Sequence, residues 1–406
     1  MRIAVLCSDL GVRIPGDKGA SMHLSAITAA FAALGHEVML IGVAGHGEPP
    51  TELAGVHRLL LPHPGRSEGI ERERRKLAFT DHLHDVALPE LTRFGPELIY
   101  ERLALFGTAG TRSARRLGVP HVVEVNALLA REEAAWRGLH HTGEATRREV
   151  EVLAAADLRV TVSQEWRRAV RDLVGDLATV TVPNGVDAAT FRSLPTRGAA
   201  RADWGLPQTG ALAGFVGALR GWHGVEVAID ALARTRRPVE LVVAGDGDLR
   251  ASLAERAVRA GVAERVHWLG HVAHHRVPSL LAALDLALAP YPSRDFAFSP
   301  LKLYEYLAAG VPVVASDVGQ VHDVLQAAGC GVLVEPGRAD ALAAGIDRAL
   351  DGRAGLRRRA AAARHRALVE HAWPRRAADI LSALAQLRPQ ARAHAVEGVR
   401  QDALAG

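Results

Sequence analysis

The chain has 406 residues, of which 49% are hydrophobic and 23% are charged, and its formal net charge at pH 7 is +4. This length exceeds what one ordinary core holds, so we expect two domains, and the apolar fraction gives each of them a sizeable interior. With only two cysteines, Cys7 and Cys330, a disulfide framework is excluded and a reducing, cytoplasmic compartment is favoured.

The first half of the chain alternates strand and helix patterns. A strand is predicted at 2–8, a helix at 20–34 and a second strand at 37–43, with a glycine-rich loop before the helix. Further strands are predicted at 98–100, 121–125 and 158–162. The opening MRIAVLCS is interpreted as a first strand and not as a signal peptide, and no apolar stretch approaches the length of a membrane span.

A second alternating run begins near Ala211. It predicts a helix at 225–233, a strand with its turn at 239–248, and further strands at 211–219, 267–269, 286–289 and 311–315. The α/β class follows, with two parallel sheets each wrapped by helices. The predicted boundaries are a first domain at 1–185, a linker at 186–208, a second domain at 209–372, a helix at 373–390 that returns to the first domain, and a tail at 391–406.

The segment FSPLKLYEYLAAGVPVVAS is typical of a helix whose start receives an anion. Ser299 is a preferred N-cap residue and Pro300 fits the first helical position, so the N–H groups of Leu301 and Lys302 would remain free. A phosphate would find donors and the positive end of the helix dipole there. Glu305 follows on the same face and would accept hydrogen bonds from ribose hydroxyls. An ordinary capped helix with a surface ion pair is the alternative interpretation.

Other loops that follow strands strengthen the phosphate interpretation. GALRGWHG, at 217–224, places Arg220 and His223 among three glycines, and Arg220 would clamp a diphosphate. The alternative is a tight turn with a solvent-facing arginine. Because the glycines at 11, 16 and 19 lack dinucleotide-fingerprint spacing, a nicotinamide dehydrogenase is disfavoured. Ligands bind at the carboxyl ends of such strands, so two facing sheets would enclose a cleft.

Histidine and arginine clusters carry weaker signals. The nineteen histidines lack the cysteine partners or the H-E-x-x-H helix of a zinc site, so no tightly bound metal is expected. The arginine-rich patches are interpreted as solvated helix faces, with peripheral contact to anionic membrane lipid as the alternative. Nucleic acid is disfavoured, because aromatic residues total only 4%.

Taken together, these segments resemble the retaining family-four glycosyltransferases, also described as glycosyl transferases group 1. The resemblance runs from Arg2 to about Leu384 and covers most of the chain. Eight pieces appear in the family's order, namely KGAS (18–21), GHEV (35–38), ADLRVTVS (156–163), VPNGVD (182–187), FVGALRGWHGVE (215–226), LVVAGDGDLR (241–250), VHWLGHV (266–272) and SPLKLYEYLAAGVPVVAS (299–316). The family implies the GT-B architecture, two facing Rossmann-like domains with a cleft between them.

The resemblance implies that the second domain binds a nucleotide-sugar donor and the first domain binds the acceptor. Glu305 matches the second carboxylate of the family's E-x7-E element, and Gly19 matches a glycine that approaches the phosphates from the first domain. The donor-binding residues implied in this way or by the loops are Gly19, Gly217, His223, Gly245, Gly270, Val272, Asp295, Ser299, Pro300, Leu301 and Glu305. Arg220, Lys302 and Asn126 are the predicted catalytic residues, and Lys18, Ser21 and Glu124 are the predicted acceptor contacts.

The sequence departs from the family pattern at several of these positions. The first carboxylate of E-x7-E falls at Ala297, the usual phosphate arginine falls at Ala218, and the usual lysine before glycine is His223. Arg220 is the predicted replacement for the arginine, and the contact to the sugar hydroxyls is either missing or supplied by Asp295 or by the backbone. Where many members have a histidine in the catalytic pocket, this chain has Asn126.

The predicted function is transfer of a hexosyl or N-acetylhexosaminyl group from a nucleotide-diphosphate sugar to an acceptor hydroxyl, with retention of configuration. UDP is the expected nucleotide, with GDP and dTDP as alternatives, and no cofactor is expected to be tightly bound. The acceptor would be a small molecule, a glycan or a lipid-linked sugar. A catalytically silent binding protein of the same fold and a nucleotide-sugar 2-epimerase are the competing hypotheses.

Overall fold

A computed structural model of the chain describes residues 1–136, 138–293 and 300–402, without the side chains of 136 and 388–402. It divides into two compact units. The first unit is Met1–Pro183 together with the chain from Trp373 onward, and the second is Asn184–Ala372.

The first unit contains a parallel sheet in the order β2-β3-β1-β5-β6-β7-β8, with β4 also paired to β3. Its strands are β1 (Arg2–Leu6), β2 (Arg13–Ile14), β3 (Glu37–Ala44), β4 (His57–Leu61), β5 (Leu98–Arg102), β6 (His121–Val125), β7 (Leu158–Thr161) and β8 (Thr179–Thr181). The helices between them are α1 (Gly19–Ala33), α2 (Gly69–Phe94), α3 (Ala109–Leu117), α4 (Leu129–Trp136), α5 (Thr142–Ala155) and α6 (Gln164–Val174). The sequence pattern missed β2, β4 and β8, of which β2 has only two residues.

The second unit contains a parallel sheet in the order β11-β10-β9-β12-β13-β14. Its strands are β9 (Ala211–Val216), β10 (Val239–Ala244), β11 (Val266–Gly270), β12 (Leu286–Ala289), β13 (Val313–Ser316) and β14 (Gly331–Val334). Its helices are α7 (Arg197–Asp203), α8 (Val225–Leu232), α9 (Arg250–Arg259), α10 (Val277–Ala283), α11 (Leu301–Ala309), α12 (Gly319–Ala328), α13 (Ala339–Asp351) and α14 (Arg353–Glu370). The sequence pattern missed β14. The two parallel sheets confirm the predicted α/β class with two Rossmann-like domains.

The second sheet is covered by core on both faces, as its apolar strands predict. Along β10, Leu241 and Val243 pack into one hydrophobic cluster, whereas Val242 and Ala244 pack into the other. Successive side chains of a strand point to opposite faces, so a strand buried on both faces is apolar throughout. This burial fixes the register, and with it the edge at which the strand-end loops emerge.

The predicted linker at 186–208 is instead part of the second unit. Phe191, Ala200 and Leu206 are buried in its core, and α7 lies in this segment against α10. Turn residues dominate the segment's sequence, but these apolar side chains anchor it.

The last described helix, α15 (Trp373–Asp402), groups with the first unit and packs against α1. It extends past the predicted end at 390. In the part of the chain that the structure describes, no helix is both long and apolar enough to cross a membrane.

Candidate functional site

Three predicted glycines end neighbouring strands of the second sheet. Gly217 follows β9 with φ of 144°, Gly245 follows β10 with φ of 145°, and Gly270 ends β11 with φ of 66°. The Gly217 N–H donates to the carbonyl of Ala244 over 2.9 Å, and the Gly245 N–H donates to the Gly270 carbonyl over 2.7 Å. A β-carbon on Gly245 would lie 1.9 Å from the Gly217 oxygen, so this close stacking of loops requires glycine.

Helix α11 begins at the same edge of the sheet, one residue later than predicted. Pro300 is its N-cap residue, with φ of −76° and ψ of 106°, and not the first helical residue, because this ψ is extended. Leu301 is therefore the first residue of the helix. The end at Gly310 is as predicted, with φ of 70°. The predicted contacts at Asp295 and Ser299 lie outside the described residues.

Tyr306 attaches α11 to the strand ends. Its hydroxyl accepts a hydrogen bond from the Val216 N–H over 3.2 Å and lies 3.3 Å from the Leu288 carbonyl, to which it donates. One aromatic side chain thus joins the helix to the ends of β9 and β12, and it fixes where the first turn of α11 lies.

Lys302, in that first turn, holds a buried cation. Its Nζ lies 4.3 Å from the centroid of the Phe215 ring and has no solvent exposure and no hydrogen-bond partner among the described residues. A β-carbon on Gly217 would lie 3.1 Å from Nζ, so the amine rests against this glycine. Burial lowers the pKa of Lys302 to about 7, although the nearby Glu305 carboxylate opposes that shift.

Within the described ranges, which leave out residues 294–299, the charged form of this amine is only partly compensated. Buried charged groups are normally paired or hydrogen-bonded, and the faces of aromatic rings compensate an ammonium only in part. An anion at the start of α11 would pair with this amine. The pairing would raise the pKa of the amine again, so that it would carry a full positive charge.

Arg220 is paired with a carboxylate of the neighbouring loop. Its guanidinium forms an ion pair with the carboxylate of Asp248, and the two side chains are 44% and 82% exposed. The Leu219 N–H also donates to the Asp246 carbonyl over 2.9 Å, so the loop at 217–224 is bound to the loop at 245–248. A diphosphate would have to compete with Asp248 for Arg220. Sequence reasoning missed this partner.

His223 is neutral in this site. Its Nδ1 donates to the Ala218 carbonyl over 2.5 Å, which leaves Nε2 as an acceptor. Burial, together with the positive charges of Lys302 and Arg220, lowers the pKa of His223 to about 3. The imidazole therefore contributes hydrogen bonding and no positive charge.

Glu305 has a partner that the sequence did not indicate. Its Oε1 lies 2.8 Å from Nε2 of His274, in the turn at 274–276. This contact fixes the carboxylate beside the segment that contains Val272, a half-buried residue packed against the core. No sequence signal singled out His274, because the pair depends on how β11 and α11 approach each other.

In the first unit, Glu124 on β6 is a buried carboxylate with two side-chain partners, His23 and Arg102. Its Oε1 lies 2.7 Å from Nε2 of His23, and Arg102 lies 3.5 Å from its other oxygen. Burial alone would raise the pKa of Glu124, but His23 and Arg102 hold it at about 2. Glu124 is 3% exposed, and its contact with an acceptor stays a prediction.

The other predicted residues of the first unit lie near the starts and ends of elements. Asn126 follows β6, and its Nδ2 is buried without a hydrogen-bond partner in the described part of the chain. Lys18 is the exposed N-cap residue of α1 and Gly19 is its first residue. Ser21 is buried, and its Oγ accepts from the Arg13 N–H over 3.2 Å, which ties down the preceding loop.

In the second unit, then, the structure brings together Gly217, His223, Gly245, Lys302 and Glu305. Within residues 1–136, 138–293 and 300–402, no group of three or more His, Cys, Asp or Glu side chains is arranged to hold a metal ion.

Comparison with known proteins gives matches across most of the chain. The family model described as glycosyl transferases group 1 matches residues 196–366, and the model for glycosyltransferase family 4 matches residues 18–190. The chain is 31% identical to D-inositol 3-phosphate glycosyltransferase 2 of Catenulispora acidiphila, over 82% of this chain and 80% of that protein. It is 29% identical to a GDP-mannose-dependent phosphatidylinositol dimannoside mannosyltransferase of Mycobacterium tuberculosis, over 97% of this chain and 98% of that one.

Among solved structures, HepE from Anabaena in complex with UDP is similar, with a TM-score of 0.74 and 21% identity. The match covers 95% of this chain and 100% of that structure. This likeness shows the fold.

Proposed function

This chain belongs to the family-four glycosyltransferases, and we propose that it transfers a hexosyl or N-acetylhexosaminyl group to an acceptor hydroxyl with retention of configuration. Family membership makes the chain an enzyme that uses a nucleotide-diphosphate sugar. The observation that carries the proposal is the buried amine of Lys302, which lies beside the Gly217 backbone at the start of α11.

In the proposed reaction, the bond between the anomeric carbon and the diphosphate oxygen breaks, and a bond to the acceptor oxygen forms. Negative charge builds on the departing diphosphate, so groups already aimed at its oxygens lower the barrier most. Lys302 supplies a full charge, and the free N–H groups of the first turn of α11 supply donors. The aromatic faces around Lys302 do not neutralise it, so its charge is directed at the ligand.

Retention follows if the acceptor attacks from the same face that the diphosphate leaves. The acceptor proton then passes to the departing phosphate oxygen, and no enzyme nucleophile is needed. In the first unit, Asn126 is our candidate for positioning the acceptor, because its buried Nδ2 has a donor to offer. Lys18, Gly19 and Ser21 remain predicted contacts, and we propose that Glu124 acts indirectly by holding His23.

We propose UDP as the preferred nucleotide, with Glu305 accepting from the ribose hydroxyls and the backbone at Gly270 and Val272 facing the base. HepE was solved with UDP, which supports this choice, whereas the mannosyltransferase relative is described as GDP-mannose-dependent. Main-chain contacts discriminate bases weakly, so GDP and dTDP belong in any screen. Metal-independent transfer is part of the same proposal, with Lys302 supplying the charge that a cation would otherwise supply.

The test is release of nucleotide diphosphate from UDP-, GDP- and dTDP-sugars by the purified chain, followed by NMR of the anomeric proton in the product. We expect release from one nucleotide class, also in the presence of EDTA, and an α-linked product from an α-linked donor. Lys302→Met is the matched inactive control. Absence of release with every donor would contradict transfer, and a β-linked product would contradict retention.

A further inference from the structure

A cavity opens at the edge of the second sheet opposite to the loops that contain Gly217 and Gly245. It has a volume of about 530 Å³, and its lining includes Ala211 and Pro238, at the starts of β9 and β10. The strands are parallel, so this is the amino-terminal edge, whereas Gly217 and Gly245 lie at the carboxyl edge. A strand as long as β9 spans roughly 20 Å, so the cavity is separate from the proposed donor site.

The cavity is lined by an excess of positive charge. Its lining includes Arg197, Arg201, Arg237 and Arg353, with Asp285 as the acidic residue among the lining side chains. Arg237 has its own partner, Asp351. The other three arginines all contact Asp285, so one carboxylate faces several guanidinium groups.

The two oxygens of Asp285 have different roles. Oδ2 accepts from Arg201 over 2.8 Å and from the Leu212 N–H over 2.9 Å, and these bonds hold the start of β9. Arg201 is 3% exposed and donates its remaining bonds to backbone carbonyls, so it is a structural residue. Oδ1 is left to be shared by three further guanidinium groups.

Guanidinium nitrogens of Arg197 and Arg353 lie 3.6 Å and 3.5 Å from Asp285 Oδ1, and the guanidinium of Arg357 is also in contact with this oxygen. The single oxygen Oδ1 cannot accept hydrogen bonds from all the N–H groups of three guanidinium groups. Arg197 Nε is buried without a hydrogen-bond partner in the described part of the chain. Burial, and after it the charge of Arg197, lowers the pKa of Arg357 to about 10, although the Asp285 carboxylate opposes that shift.

We propose that this arginine cavity binds a small anion with at least two negative charges, of the phosphorylated-metabolite class. Arg197 and Arg353 would contact the anion directly, since their side chains are 38% and 44% exposed, while Arg201 and Asp285 form the floor. Guanidinium forks match phosphate oxygens in geometry, and the excess charge supplies the attraction. The site is additional to the transfer reaction.

The concave shape and the volume of the arginine cavity favour a small molecule over a membrane surface or a nucleic acid. Small-molecule sites usually enclose about 300 to 1,000 Å³, and this cavity falls in that range. A membrane surface or a nucleic-acid backbone would instead require a broad exposed patch. The cavity therefore fits a molecule of the size of a phosphorylated sugar or a nucleoside monophosphate.

The test uses calorimetry of the full chain in a Lys302→Met background, which weakens anion binding at the donor loops. Inorganic pyrophosphate and AMP are the two probes, and they distinguish an inorganic from an organic phosphate ligand. We expect at least one of them to bind with a stoichiometry near one. Adding Arg197→Gln and Arg353→Gln should raise the dissociation constant at least tenfold. Binding of neither probe would overturn the proposal.

The matched control carries Arg259→Gln and Arg338→Gln, which remove two exposed arginines of the same unit outside the cavity. A cavity variant that binds as tightly as this control would overturn the proposal. If the cavity variant fails to fold, Thr209→Glu and Thr209→Gln replace it, because Thr209 lines the cavity and is exposed. The acidic substitution should weaken binding at least tenfold relative to the amide, and equal affinities would refute the site.

Discussion

Each unit contains an ionisable group that is buried, and the two groups have opposite kinds of surroundings. Glu124, in the first unit, has His23 and Arg102 as partners, and its pKa falls to about 2 despite burial. Lys302, in the second unit, has aromatic rings around it, and burial lowers its pKa to about 7. Both lie near the carboxyl ends of strands, where parallel sheets place their ligands.

The difference separates a structural group from a functional one. The charge of Glu124 is balanced by the nearby Arg102 guanidinium of the same unit, so its removal should affect folding first. Among the described residues the buried amine of Lys302 has no hydrogen-bond partner, so its removal should affect catalysis first. A strained or unsatisfied group of this kind is a marker of function because the fold alone gains nothing from it.

Removing the amine of Lys302 should produce the largest effect. We expect Lys302→Met to lower kcat by about 100- to 1,000-fold, equivalent to about 3–4 kcal/mol of barrier, by comparison with the loss of one oxyanion donor. The thermal midpoint should hold or rise, because an apolar chain of similar length replaces a buried amine that has no hydrogen-bond partner among the described residues. Steady-state kinetics and calorimetric melting measure the two effects. Near-normal turnover would remove Lys302 from the mechanism.

Breaking the Glu124 cluster should reverse that pattern. Glu124→Gln leaves Arg102 without its counter-charge, and we expect about 3 kcal/mol of lost stability in urea unfolding. The folded pKa lies below the ordinary value of 4.5, so this stabilisation is present above pH 4.5 and is lost as pH falls towards 2. The variant should therefore lose part of the wild-type's pH dependence in that window. Unchanged stability with a large drop in kcat would mean that Glu124 acts on substrate.

Much of the fold could be predicted from the sequence, because periodicity reports local burial. Strand β12 and helix α8 have nearly the predicted bounds, since the apolar run of one and the Gly224 turn before the other are local signals. Strand β2 has two residues and carries no such signal. The predicted N-cap residue of α11 was Ser299, whereas the observed one is Pro300. The position of the N-cap depends on a backbone ψ angle that the sequence does not determine.

The candidate site could be predicted as a set of residues but not as a set of contacts. Lys302 was identified from its place in the first turn of a helix. Its burial against Phe215 and Gly217 depends on a strand more than eighty residues earlier. Likewise, the pairing of Arg220 with Asp248 arises because two adjacent strands end side by side.

The pH dependence of donor binding sharpens the contrast between the two buried charges. Above pH 7 the free protein loses the proton on Lys302, whereas a bound diphosphate favours the charged amine. The donor's dissociation constant should therefore rise up to tenfold for each pH unit between about 7 and 9, with proton uptake on binding. Calorimetry in buffers of different ionisation enthalpy measures both. Lys302→Arg, which stays charged, is the control, and its dissociation constant for the donor should not change with pH. A wild-type dissociation constant that is also independent of pH would contradict a Lys302 pKa of about 7.

The smallest expected effect concerns Glu305, the predicted ribose contact. Glu305→Gln keeps the shape and one acceptor oxygen but loses the charge, so we expect the donor KM to rise about tenfold, the lower end for a charged hydrogen bond. The ribose contact is the same in the ground state and the transition state, so kcat should change little. His274→Asn removes the 2.8 Å contact to Glu305 and leaves the carboxylate in place, so it should raise KM less than Glu305→Gln does. If His274→Asn has the larger effect, the carboxylate serves the histidine and not the ribose.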